Sequence, residues 1–207
     1  MAIADPLLEA WLRVVARDGF AGATIAAAAA EAGVPAAEFL AGAGDSFDCA
    51  SAFLDRIARA AMLGAAGEGT VRDRLFDGIM AGFDVLQAHR GAVEALIASR
   101  DPGLVALAGA KGLEGTRRLA AAAGVDVTGL SGGARTAALA ALLARALHAW
   151  RRDDSPDMAA TMAALDQLLS DAARAAEEGP LSLLRARLPG LFRRGSATGP
   201  APDPPAE

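Results

Sequence analysis

Residues 19–40 read GFAGATIAAAAAEAGVPAAEFL. Thr24 stands where a side-chain oxygen caps an alanine helix running to about Ala32, Gly33 supplies the turn that ends it, and Pro35 opens a second short helix carrying Phe39 and Leu40. Two short helices joined across so tight a turn make a helix-turn-helix. The charges around it have one sign. Between Arg17 and Arg56 there is no lysine or arginine, whereas Asp18, Glu31, Glu38, Asp45, Asp48 and Asp55 are all present. Such a surface repels a phosphate backbone, so nucleic acid is not an expected partner.

Upstream, Asp5-Pro6 forms an N-cap and first-turn pair, and Leu7, Leu8, Trp11, Leu12, Val14 and Val15 give a helical stripe ending near Gly19. Downstream, the spacing predicts a helix from about Asp45 to Met62, a glycine-rich break over Gly64 to Gly69, and a long helix from Thr70 to about His89. A shorter helix carries Val93, Leu96 and Ile97. Asp101-Pro102 starts the next, which ends at Gly124. A loop is expected over Gly129 to Gly133, before a strongly apolar helix through Leu139, Leu142, Leu143, Leu147 and Trp150. Ser155-Pro156-Asp157 then caps a helix through Leu165, Leu168 and Leu169, the ninth before Gly179.

The fold class is therefore all-α: a three-helix N-terminal helix-turn-helix unit, a larger helical bundle and a C-terminal amphipathic helix. Ala and Leu dominate, aromatics are 4% and Tyr is absent, a composition that favours helix over strand. The expected domains are 1–63 for the helix-turn-helix unit, 70–179 for a ligand-binding and dimerisation domain, 180–194 for a basic amphipathic helix and 195–207 for a disordered tail. The net charge of -5 gives no support for a nucleic-acid binder. The single Cys49 excludes an internal disulfide and fits a reduced setting. No signal peptide is read at the N-terminus, and no apolar run approaches the roughly 20 residues of a membrane span.

Gly19-Phe20, Thr24 and Ala32-Gly33-Val34 reproduce the spacing of the DNA-binding domain of the TetR family of repressors over the first quarter of the chain. The polar, lysine and tyrosine positions with which that family meets phosphates are here Pro35, Ala36 and Leu40. A second pattern, Asp153, Ser155-Pro156-Asp157, Thr161, Leu165 and Asp171, resembles the lipid-binding accessory family of ubiquinone biosynthesis, whose fold is TetR-like with a degenerate DNA-reading helix. His89-Arg90-Gly91-Ala92 is similar to a further step of that family. The resemblance implies an isoprenoid or other lipid ligand, an anionic membrane surface and a ubiquinone-biosynthesis hydroxylase as partners. It places the protein in the cytoplasm, peripheral to the inner membrane surface. It also implies a partner surface at Asp157, Thr161 and Met162.

Within the segment 180–194, Leu181, Leu184, Leu188, Leu191 and Phe192 fall on one arc of about a third of a helical wheel. Arg185 and Arg187 flank that arc, while Arg193 and Arg194 sit away from it. A basic amphipathic helix of this kind lies in the headgroup region of an anionic membrane; alternatively, it closes the protein's own core or a dimer seam. Phe76, Met80, Phe83, Leu147, Trp150 and Met158 are the candidate walls of a lipid pocket, and the same stripe also reads as plain core.

No nucleophile, base and orienting group come together, and His89 and His148 lack partners at metal-ligand spacing. The expectation is a non-enzymatic protein with no cofactor and no metal, forming a homodimer. The leading reading is a lipid-binding accessory of ubiquinone biosynthesis. The alternative is a TetR-family transcriptional regulator, a dimeric DNA-binding repressor with an apolar effector pocket.

Overall fold

The computed structural model describes residues 3–178. Residues 180–194 and 195–207, where the amphipathic helix and the tail are expected, lie outside them. The described residues form nine helices: α1 (Asp5–Gly22), α2 (Ile25–Ala32), α3 (Ala36–Ala43), α4 (Ser46–Gly64), α5 (Val71–Ala88), α6 (Arg90–Ser99), α7 (Pro102–Ala122), α8 (Gly129–Trp150) and α9 (Ala159–Glu178). The fold is all-α.

Local chemistry sets most of the boundaries. Thr24 accepts from the Ala27 N–H and Gly33 closes α2 at φ 71°, while Asp45 with Asp48, and Thr70 with Asp73, form reciprocal capping boxes at the starts of α4 and α5. Asp101 caps α7 through the Leu104 N–H. Helix α1 departs from expectation at its end, for the chain kinks at Gly19 (φ 75°, ψ 173°) and turns on as far as Gly22. Only glycine takes that backbone angle without strain.

The second departure is the stretch from Gly129 to Gly133. It is the first turn of α8 rather than a loop. A Cβ on Gly132 would lie 2.1 Å from the carbonyl carbon of Val127, so this glycine permits the chain to fold back on itself tightly, and the helix starts as soon as that contact is made.

Helix α1 packs on α2 and α6, α4 on α5 and α7, and α8 on α7 and α9. One continuous core runs through them, with Trp11, Phe39, Phe53, Phe83, Trp150 and Leu165 all buried. Helices α4 and α5 approach closely because two glycines face across the seam: a Cβ on Gly78 would lie 2.7 Å from the Ala61 carbonyl oxygen, and one on Gly64 would lie 2.8 Å from the Ala81 Cβ. Arg72 of α5 reaches α9 and donates to Asp166 at 2.6 Å. Among the described residues no single helix is long and apolar enough to cross a membrane; α2 and α3 have the length and composition only as a pair, bent by 98°.

Candidate functional site

Two surfaces carry chemistry. The first is the exposed side of the α2–α3 turn. Phe39 points into the core, leaving Pro35, Ala36, Ala37, Glu38, Leu40 and Ala41 outside. Pro35 offers no side-chain cap to α3, so the N–H groups of its first turn face outward, as at an anion-binding helix start. Behind them, Arg13 and Arg17 of α1 donate to Glu31 at 2.8 and 3.0 Å, and Arg17 also pairs with Asp18. These hydrogen bonds, Arg13 first, hold the Glu31 carboxyl below its ordinary range. Two of the acids noted in the sequence are thereby neutralised, and Glu38 is the charge left on the exposed face of α3.

The second is a cavity of about 850 Å³ between α4, α5, α6, α7 and α8. Its walls include Phe53 and Ile57 of α4, Phe83 of α5, Leu119 of α7, and Leu143 and Leu147 of α8. That size suits a small organic ligand. Of the residues expected to form a pocket, Phe83 and Leu147 are in the lining. The others lie elsewhere. Trp150 is fully buried at the end of α8, its ring 6.4 Å from that of Phe83 and its indole N–H donating to Gln87 Oε1 at 2.9 Å. Met158 is buried, and Phe76 and Met80 are half-buried against the core. The contributions of α4 and α7 escaped sequence reasoning. A signal for them existed in Gly109, Gly112 and Gly115, spaced by three along α7: a Cβ on Gly109 or Gly112 would meet nothing within 4 Å, because both border the cavity.

Lys111 and Thr116 are the polar side chains of the lining. The Thr116 hydroxyl donates to the Gly112 carbonyl at 2.7 Å. Lys111 donates to both carboxylate oxygens of Asp55 at 2.8 and 2.9 Å, linking α7 to α4. Cys49 is buried nearby on α4, and burial pushes its thiol up to about 12.

The Asp-x-Ser-Pro-Asp pattern has a local explanation. Asp153, 4% exposed, accepts from the Ser155 N–H and hydroxyl and from the Thr161 N–H and hydroxyl, all within the bend between α8 and α9. Thr161 is fully buried, Met162 half-buried and Asp157 exposed. Arg90 completes the bend: its guanidinium lies 4.7 Å from the Trp150 ring centroid and donates to the carbonyls of Trp150, Arg151 and Asp153. The spacing is what a buried carboxylate needs to join two helices. Among the described residues no group of three or more His, Cys, Asp or Glu could hold a metal ion.

No family model and no curated protein matches the sequence. The fold does match solved structures. A TetR transcriptional regulator from Nitrosomonas europaea superposes with a TM-score of 0.70 at 17% identity, over 83% of this chain and 98% of that one. A Pseudomonas aeruginosa chain ascribed to a transcriptional regulator matches over 82% and 91% at 21% identity, and its TM-score of 0.47 is too low to carry an argument.

The first match corrects several expectations. A solved structure that this chain matches over 83% of its length is a TetR regulator, and the pattern that pointed to the ubiquinone-biosynthesis family is a hydrogen-bonded bend. The reading as a lipid-binding accessory at the membrane surface, with an isoprenoid ligand, an anionic membrane and a hydroxylase as partners, is overturned. So is the exclusion of nucleic acid, which counted six acids as free charges although Arg13 and Arg17 pair two of them, Asp18 and Glu31. The chain has a TetR-like, all-α fold, with an N-terminal three-helix unit and a larger helical bundle.

Proposed function

We propose that this protein is a non-enzymatic transcriptional regulator, a dimer that binds duplex DNA through its N-terminal three-helix unit and a small apolar effector in the cavity that α4 encloses with helices of residues 70–179. The observation that carries this reading is the position of α4. Its N-terminus follows the exposed helix α3 after only Gly44 and Asp45, while its Phe53, Leu54, Ile57 and Ala58 line the cavity. A ligand that repacks these side chains bears on the helix from which the α2–α3 unit is carried, giving one element in contact with both sites.

Phosphate contacts on such a surface come from backbone N–H groups at the starts of α2 and α3, with the apolar Ala36, Ala37, Leu40 and Ala41 against base edges such as thymine methyl groups. The outer faces of α8 and α9 expose Ala137, Ala138, Ala141, Ala160 and Ala163. These side chains let two helix pairs approach closely, and we assign the dimer contact to them.

The test is selection from a random duplex library by the full chain at low salt, followed by fluorescence anisotropy of the enriched sequence. Supporting results are a defined, inverted-repeat sequence, bound tightly over a scrambled control, and a dimer by light scattering. Enrichment of nothing over the input library would refute the regulator.

A further inference from the structure

We infer that the cavity takes an apolar molecule ending in a single carboxylate, whose anionic end docks on Lys111 and displaces Asp55. The inference rests on the reading of the cavity as an effector site and names the chemical class of its ligand. Lys111 is the only lysine in the chain and, among the described residues, the one charged side chain in a lining that is otherwise aliphatic, aromatic and glycine apart from Thr116. The Thr116 hydroxyl already donates its hydrogen bond to the Gly112 carbonyl. Among the described residues a ligand in this cavity therefore has one charged group to meet, and that group is a cation.

The geometry also sets the sign of the ligand's head. Asp55 is outside the lining and half exposed, whereas Lys111 is in the lining and 27% exposed. A ligand amine would meet the ammonium before it met the carboxylate. A neutral head gains nothing from the ion pair. A carboxylate replaces Asp55 on the ammonium while Asp55 returns to water at little cost, since a pair so exposed contributes little to stability. The long lysine stem lets the head swing without moving the helix, and the open space at Gly109 and Gly112, on either side of Lys111 in sequence, leaves room for the incoming oxygens. The exchange releases one tie between α4 and α7, so the same event that seats the ligand loosens the helix leading to α3.

Calorimetric titration of the full chain with decanoate, decanol and decylammonium, each below its aggregation concentration, tests this. Decanoate should bind at least about tenfold more tightly than decanol, a difference of about 1.4 kcal/mol, with decylammonium weakest. Lys111→Met should abolish the preference of decanoate over decanol; Lys111→Arg should keep it. Asp55→Asn should tighten decanoate several-fold by removing the competing carboxylate. Equal affinities for decanoate and decanol, or a preference that survives Lys111→Met, would overturn the assignment of the head while leaving the apolar cavity standing. Failure of all three probes to bind would overturn the effector reading together with this inference.

Discussion

The carboxylate of Asp153 accepts hydrogen bonds at 2.7 Å from both the backbone N–H and the hydroxyl of Thr161, and both residues are buried. One side chain thus anchors the start of α9 to the end of α8, and Arg90 holds the carbonyls on the other side of the same bend. The hydrogen bonds from Ser155 and Thr161 hold the Asp153 carboxyl far below its ordinary value. A depressed carboxyl contributes stability that is complete above its unfolded value of 3.8 and is lost as pH falls toward the folded value. Thermal melting from neutral to strongly acidic pH should show a steep loss below about 4 in the native chain. Asp153→Asn should flatten that loss, and Thr161→Val should lower Tm by several degrees at neutral pH.

Glycines on α5 and α7 should respond to alanine in opposite directions. At Gly109 and Gly112 the new methyl enters open space, so alanine should raise stability by about 0.5–1 kcal/mol through helix propensity alone. At Gly78 it would collide with the Ala61 carbonyl and Leu119, and the cost should be about 1–3 kcal/mol. Urea unfolding of the three single variants measures both signs.

Glu38 is the acid left on the exposed face of α3, with no ion pair among the described residues. Removing it should strengthen DNA binding by roughly fivefold, since one charge near a phosphate in water is worth about 1 kcal/mol. Anisotropy titrations of Glu38→Gln against the selected duplex check this, and weaker binding by the variant would place α3 away from the DNA. The salt dependence of that binding should be shallow, because Arg13 and Arg17 are already paired with protein carboxylates.

Cys49 has no exposure and its thiol is pushed up to about 12, chiefly by burial. The native protein should resist a thiol reagent at neutral pH and react fully once unfolded. Rapid labelling of the folded chain would show that the start of α4 opens on the timescale of the reaction.

Helix starts were legible because their causes are local. Thr24, Asp45, Thr70 and Asp101 each accept from N–H groups within the next few residues, and Gly33 ends α2 by its own backbone angle. Asp5, by contrast, is not the cap it was expected to be: α1 starts after Ala4 without a side-chain cap, and Asp5 pairs with Arg56. The Gly129 to Gly133 stretch misled for the converse reason. Glycine there answers to the Val127 backbone against which Gly132 packs, not to a turn.

By itself, the sequence determined the all-α class and the helix-turn-helix spacing, both written in caps and periodicity over a few residues. Only the tertiary structure decided which apolar faces enclose a cavity, because that depends on how five helices cross. Phe83 shares a helical periodicity on α5 with Phe76 and Met80, yet it reaches the cavity and the other two pack against the core. It decided the electrostatics too. Glu31 is an acid in the sequence and an ion-paired acid in the fold, since Arg13 and Arg17, which neutralise it, lie on a different helix. The Asp153 to Thr161 spacing could be read as a partner-binding motif until the fold buried it, because a hydrogen bond is a property of positions in space rather than along the chain.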